Sequence, residues 1–239
     1  IGQHTEWIGD MRHDFVAVAM PTSKGTVGAS IVYLSQSRIE GRDEDRRKTS
    51  SFTAYDAAAT ISYSMSLNRD LKFGSNVKII EQKIADETAM GMGMDLGILY
   101  NTESVFGMLP QGMSLGMTVQ NLGPQMRFIS EGYNLPLTAC MGIGYKVCDF
   151  AGLAMDIKRK IYEKKTEISF GTEYNPVIPM SLRVGYMKYI GGESGISVSE
   201  LKGIGGGVGF KVLNFSTDYA FTPYGDLGNA HLISFSSKF

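Results

Sequence analysis

The sequence lacks any long apolar run. No stretch of 18 or more hydrophobic residues occurs in its 239 residues, which excludes a transmembrane helix. It also lacks a charge excess. Twenty-three Lys and Arg stand against 24 Asp and Glu, a formal net charge of -1, so neither a basic nucleic-acid face nor an acidic disordered tail is indicated. Cysteine is nearly absent, with only Cys140 and Cys148, and their spacing is not that of metal ligands. On a single strand they stand roughly 27 Å apart at about 3.3 Å per residue, so they pair only if the chain folds back between them. No disulfide framework is expected. A charged-then-apolar leader is missing before Ile1, which suggests a cleaved leader or a trimmed N-terminus. Proline is scarce, at 7 residues, while glycine reaches 29. Glycine in that amount, without a collagen period, suits strands that curve, pack closely or face a crowded lumen.

What is present is a period of two. Ile61, Tyr63, Met65 and Leu67 alternate with Thr60, Ser62, Ser64 and Ser66. Leu71, Phe73, Val77 and Ile79 alternate with Lys72, Gly74, Asn76 and Lys78. Met90, Met92, Met94, Leu96 and Ile98 alternate with Gly91, Gly93, Asp95 and Gly97. Met113 to Gln120 and Asn214 to Phe221 follow the same rule. A helix needs apolar residues at i, i+3, i+4 and i+7, which these segments do not offer. Turn chemistry divides the chain into about 14 strands, at 2–8, 12–20, 26–36, 53–67, 70–85, 88–100, 112–120, 135–146, 149–157, 166–174, 180–189, 203–212, 214–221 and 230–239. No βα alternation is visible, so a parallel sheet is not expected. Mean hydropathy is only -0.05, but a membrane barrel hides its lipid-facing residues by alternating them with polar ones.

Three features favour a membrane barrel over a soluble sandwich. Many segments reach the about 9–11 residues needed to cross a bilayer, against about 5–6 for soluble strands. The connections alternate in length. Arg38 to Ser51, Asn121 to Asn134 and Tyr189 to Lys202 are long, and Pro21 to Gly25, Asn68 to Asp70 and Lys146 to Asp149 are short. Asp86 to Thr88 and Asn101 to Gln111 break the rule. Long loops outside and short turns at the periplasm, with both termini on the short side, fit an outer-membrane barrel. The chain also ends on Phe239, in phase with Phe235 and Ile233. Tyr100, Tyr145, Tyr174, Tyr186 and Tyr224 fall near strand ends, where interfacial aromatics belong, although half-buried strands also favour tyrosine.

Motifs for chemistry are weak. Gly112-Met113-Ser114-Leu115-Gly116 matches the G-x-S-x-G nucleophile elbow, yet Ser114 sits inside an alternating strand, not at a strand-to-helix turn. Gly203, Gly205, Gly207 and Gly209 repeat every two residues. This is not a dinucleotide loop but a smooth strand face with room for a plug, a ligand or a bend. His4, Glu6, Asp10, His13 and Asp14 form the only cluster of metal-ligand types, and a solvated strand edge explains it better. RIEGRDEDRRK, 38–48, is a self-neutralising loop tip. Lys158, Arg159, Lys160, Lys164 and Lys165 form a basic loop that suits lipopolysaccharide phosphates if it faces outward. Lys72, Lys78, Asp95, Asp156, Glu173, Arg183 and Asp218 fall on the polar faces of strands. They are the candidate lumen-lining residues, either in structural ion pairs or along a solute path.

Val119-Gln120-Asn121-Leu122-Gly123-Pro124 and Tyr219-Ala220-Phe221-Thr222-Pro223-Tyr224-Gly225-Asp226-Leu227-Gly228, followed by His231, resemble the PorV/PorQ family of FadL-like outer-membrane proteins. His4-Thr5-Glu6-Trp7-Ile8 and Arg12-His13-Asp14-Phe15 resemble that family's first hairpin. The resemblance implies a single 14-stranded antiparallel β-barrel over 1–239, located in the outer membrane. It implies passage of hydrophobic molecules such as long-chain fatty acids, with no catalytic residue and no cofactor. The implied partners are outer-membrane lipid and lipopolysaccharide, a hydrophobic ligand (fatty acid or detergent) and no nucleic acid. Some relatives hold cargo proteins at the cell surface, so a secretion partner protein is the alternative, and a barrel lipase using Ser114 a further one. The family's Gly-rich N-terminal segment, which folds into the lumen as a hatch, has no counterpart in this sequence.

Overall fold

A computed structural model describes residues 1–239 except 42–44, 46, 49, 103–111, 178, 192–202 and 225–227. Most of the long 101–111 and 189–202 connections, five residues of 38–51, and Gly225 to Leu227 of the C-terminal motif therefore lie outside the described residues. Sixteen strands follow in chain order: β1 (Gly2–Glu6), β2 (Met11–Thr22), β3 (Gly25–Ile39), β4 (Phe52–Ser66), β5 (Leu71–Ile84), β6 (Glu87–Asn101), β7 (Met113–Leu122), β8 (Met126–Phe128), β9 (Glu131–Tyr133), β10 (Thr138–Cys148), β11 (Ala151–Lys160), β12 (Lys165–Val177), β13 (Met180–Ile190), β14 (Ile204–Val212), β15 (Phe215–Pro223) and β16 (Asn229–Ser237). Fourteen of them form one closed antiparallel barrel, each paired with its barrel neighbours in the chain, and β1 closes the ring on β16. Closure leaves no sheet edge, the condition for a sheet to stand in lipid. The remaining two, β8 and β9, form a separate small hairpin that the sequence pattern does not predict.

The 14 predicted strands coincide with the barrel strands, with ends shifted by a few residues. The last strand stops at Ser237, so Phe239 lies beyond it and is fully exposed. Both chain ends lie at one end of the barrel, together with the turns at 23–24, 149–150 and 213–214; the 123–137 connection, the turns at 85–86 and 161–164, and the facing ends of β3 and β4 and of β13 and β14 lie at the other. These are called the terminal end and the loop end. Gly25 shows how tight the turns are. Its φ is +153°, and a Cβ there would overlap the Ser64 carbonyl oxygen, so no other residue fits.

Two contacts tell the inner face from the outer. Lys78 on β5 reaches Asn121 on β7, over β6, at 2.6 Å. Arg183 on β13 reaches Asp218 on β15, over β14, at 2.5 Å. Short contacts that skip a strand arise on the concave side, where side chains converge. The polar faces are therefore inside and the apolar ones outside. Val18 is 67% exposed and Ile61 69%, a surface that only lipid covers favourably. Aromatics border this band. At the terminal end Phe150 and Tyr174 meet edge to face with centroids 6.0 Å apart, and Phe215 stacks on Phe235 at 5.8 Å. At the loop end Tyr33 and Tyr55 lie 5.5 Å apart, and Tyr55 donates to Glu81 at 2.5 Å. Tyr55 and Tyr63 bound the outward run of β4. At about 3.4 Å per residue and a tilt of about 40°, they are ~21 Å apart in height, close to the ~25 Å apolar band of membrane barrels.

The orientation predicts an asymmetry. Val77 faces outward midway between Glu81 and Phe73 on β5. Val77→Arg is expected to cost about 2–4 kcal/mol of folding stability in vesicles. Ser64→Asp, on the inner face near Lys72, is expected to change it by less than about 1 kcal/mol. Chemical unfolding in lipid measures both, and equal losses would place the faces wrongly.

Candidate ligand passage

The most informative local structure is made by Val119 to Pro124. β7 pairs regularly with β6 as far as Val119 opposite Leu96, and then the register shifts to Leu122 opposite Met94. Gln120 and Asn121 together oppose Asp95, which is a β-bulge. Asn121 takes φ +62°, a left-handed conformation that asparagine tolerates better than most residues. The bulge is held by polar contacts. The Asn121 backbone N–H donates to Asp95 Oδ1 at 2.8 Å, and Asn76 Nδ2 donates to Asp95 Oδ2 at 3.2 Å. Lys78 Nζ lies 2.7 Å from Asp95 Oδ1 and 2.6 Å from Asn121 Oδ1. The Lys78 and Asp95 side chains are only 15% and 17% exposed, so these contacts answer the desolvation of both charges.

Beyond the bulge the chain turns inward. Gly123 passes so close to β6 that a Cβ would overlap the Met92 carbonyl oxygen and stand 2.8 Å from Leu135 Cδ1. The hairpin of β8 and β9 follows, and the connection expected as an outer loop instead packs on the inner wall. Glycine makes the room. A Cβ on Gly91 would overlap Met126 Cγ and stand 2.7 Å from its Sδ, and one on Gly93 would stand 3.4 Å from Leu135 Cδ1. Met126 is 1% exposed, and with Ala89 and Leu135 it forms the one apolar cluster found buried among the described residues, flanked by Ile80, Phe128 and Tyr133. Tyr133 donates to Gln82 Oε1, and its hydroxyl lies 3.9 Å from Met126 Sδ. Burial first, and then the Asp56 carboxylate, raise the Tyr133 phenol above its ordinary value, so it stays a donor. Asn121 Nδ2 donates to the Pro136 carbonyl at 2.9 Å, tying the exit of the excursion to its entry. The hairpin turn itself is poor: Ile129, a β-branched residue, takes φ +58° and is 77% exposed.

The opposite wall is built differently. Arg183 Nε donates to Glu173 at 2.6 Å while Nη1 donates to Asp218 at 2.5 Å. Gly209 lies between, and a Cβ there would overlap Asp218 Oδ1. Gly209, the last of the every-second glycines, thus leaves space for this ion triplet. Gly144, Ala154, Gly171, Gly185 and Gly205 are paired in sequence from β10 to β14, a row almost without side chains. The row borders a cavity of about 690 Å³ that also meets Arg183 and Asp218. A second cavity, about 740 Å³, lies towards the terminal end, where Lys72 stands among Ser64, Ser66 and Asn76. Asp156 on β11 faces Gly142 on β10.

The seven candidate residues thus fall into separate groups: Lys78 with Asp95; Glu173, Arg183 and Asp218 together; and Lys72 and Asp156 apart. Sequence pattern misses Met126, Tyr133, Leu135, Gln82 and Asn121. Only the Val119 to Pro124 motif pointed near them. The basic loop is largely tied down, with Lys158 on Glu167 at 3.0 Å, Lys160 on Glu163 at 3.1 Å and Lys165 4.0 Å from the centre of the Tyr189 ring. His4 pairs with Asp14 at 2.6 Å across β1 and β2, and no metal-holding group of three such side chains occurs among the described residues. Ser114 lies within β7, facing Gly144, not at an elbow.

No family model matches the chain, and no curated protein does. Solved structures match it over nearly its full length. The toluene transporter TodX of Pseudomonas putida is 13% identical, with a TM-score of 0.73, covering 100% of this chain and 87% of that one. The toluene transporter TbuX of Ralstonia pickettii is 11% identical, with a TM-score of 0.70, covering 99% and 86%. A FadL homologue of Pseudomonas aeruginosa is 12% identical, with a TM-score of 0.59, covering 95% and 75%. At such identities the likeness is one of fold: a FadL-like barrel of 14 strands, shared with toluene transporters and a FadL homologue.

Proposed function

We propose that this chain is an outer-membrane channel for hydrophobic small molecules, fatty acids and small aromatic hydrocarbons among them. The observation that carries the reading is the apolar cluster of Met126, Leu135, Ala89 and their neighbours, placed inside a barrel whose outer wall is built for lipid. A polar lumen alone would pass water-soluble solutes. An apolar station along it gives a hydrophobic molecule somewhere to leave water. The TodX- and TbuX-like fold supports the same conclusion. On this reading residues 1–239 act as one barrel domain, Lys72 and the Arg183 triplet line the path, and outer-membrane lipid and lipopolysaccharide surround it. Membership of the PorV/PorQ branch rests chiefly on Tyr219 to Gly228 with His231, and with it on the first hairpin and on Val119 to Pro124, the segment that builds the bulge and the inward turn. The test is uptake of a hydrophobic tracer by Gram-negative cells that express the barrel, against cells that do not. A protein partner that co-purifies stably, with no gain in uptake, would instead favour the secretion role.

A further inference from the structure

An apolar pit on the inner wall is filled by the protein's own methionine. We propose that the pit formed by Gly91, Gly93, Ile80 and Ala89 on β5 and β6 is a cargo-binding site, which Met126 occupies while the passage is closed, and that an apolar small molecule binds there by displacing the Met126 side chain. The inference rests on the reading of the barrel as a hydrophobic channel, and it names the binding site within it.

The chemistry of the pit selects the ligand. Gly91, Gly93 and Ala89 offer only backbone and a methyl group, and Ile80 adds an aliphatic wall. Lys78 presents its Cε to the Gly93 side, 3.3 Å from a Cβ position there, while its ammonium is engaged by Asp95 and Asn121. The pit therefore offers no charge to a ligand. It suits a flat aromatic molecule or the end of an alkyl chain.

The plug is suited to leave. Methionine is unbranched and flexible and packs without directional demands. Its one polar contact is the Tyr133 hydroxyl at 3.9 Å from Sδ, and Tyr133 keeps its bond to Gln82 when Met126 moves. The β8 and β9 strands share only three residue pairs, Met126 with Tyr133, Arg127 with Gly132 and Phe128 with Glu131. Their turn places Ile129 in the left-handed region. Turn chemistry thus contributes little to holding the hairpin, and the cluster holds it instead. The base stays fixed, because Asn121 binds both Asp95 and the Pro136 carbonyl. A movement of the Met126 side chain can clear the pit without breaking the Tyr133 bond to Gln82 or any strand-to-strand hydrogen bond of the barrel.

In this arrangement Met126 is an internal competitor, and its removal raises the apparent affinity for cargo by the reciprocal of the fraction of time the pit stands empty. The experiment measures naphthalene binding to the full chain in lipid nanodiscs, with empty nanodiscs subtracted. Met126→Ala is expected to bind about tenfold more tightly than the wild type. Adding Gly91→Ala to that variant puts a Cβ into the vacated space and is expected to cancel the gain. In wild-type protein carrying ¹³C-methyl methionine, the resonance absent from Met126→Ala is expected to move as naphthalene is added. Unchanged affinity in Met126→Ala with the barrel folded would overturn the proposal, as would a Met126 resonance that stays put at saturation. If Met126→Ala fails to fold, Met126→Val carries the same comparison with a smaller gain. Failure here, with hydrophobic uptake by cells intact, rejects the pit and spares the channel; loss of uptake rejects the channel itself.

Discussion

Oxidation of a Gly91→Cys/Met126→Cys pair, with Cys140 and Cys148 replaced by serine, is expected to reduce uptake of a hydrophobic tracer to the level of cells without the barrel. The Met126 Cγ already overlaps the position of a Cβ on Gly91. A sulfur at each site therefore needs only a small shift to reach the ~3.8 Å Cβ separation of a disulfide. The bond would pin the hairpin to the inner wall and keep the pit filled. A reductant is expected to restore passage in the same cells within the assay, which separates closure from misfolding. The two native cysteines must go first because both are free thiols on β10. Uptake that persists after the bond has formed, shown by mass, would mean that cargo does not pass this point.

The second large effect is on stability. Asp95→Ala is expected to destabilise the barrel by about 3 kcal/mol, because it leaves the Lys78 ammonium without its counter-charge in a largely enclosed site. It also takes the acceptor from the Asn121 backbone N–H, so the bulge that starts the inward turn loosens. Greater protease cleavage between 123 and 137 is expected alongside the lowered unfolding midpoint. Lys78→Met combined with Asp95→Asn removes both charges and keeps an acceptor for that N–H. It is expected to recover most of the loss, since a buried ion pair often adds little beyond its own desolvation. Wild-type stability in Asp95→Ala would show that the pair is incidental.

The fold was legible because one side of each strand must meet lipid and the other the lumen, which imposes a strict period of two on β4, β5, β6 and β7. Alternation alone is symmetric and does not say which face lies inside; strand length, strand number and the terminal aromatic were needed to read the polar face as the lumen. Contacts that skip a strand, Lys78 to Asn121 and Arg183 to Asp218, decide it. The ion pairs were hidden for a related reason. Arg183 and Asp218 are 35 residues apart, and only the register of β13, β14 and β15 brings them together. The in-turned hairpin escaped because Met126–Phe128 and Glu131–Tyr133 are three residues each, too short to display a period. Its signature lay on the partner strand. Gly91 and Gly93 alternate with methionines that point to lipid, and their missing side chains are where Met126 and Leu135 now sit.

The most direct test of the channel reading compares two tracers of similar size, one hydrophobic and one polar, entering Gram-negative cells that lack their own channel of this kind and express this barrel. Faster entry of the hydrophobic tracer alone, abolished by the oxidised disulfide lock between positions 91 and 126, is the predicted result. Equal gains for both tracers, or no gain for the hydrophobic one with the barrel folded in the outer membrane, would contradict it.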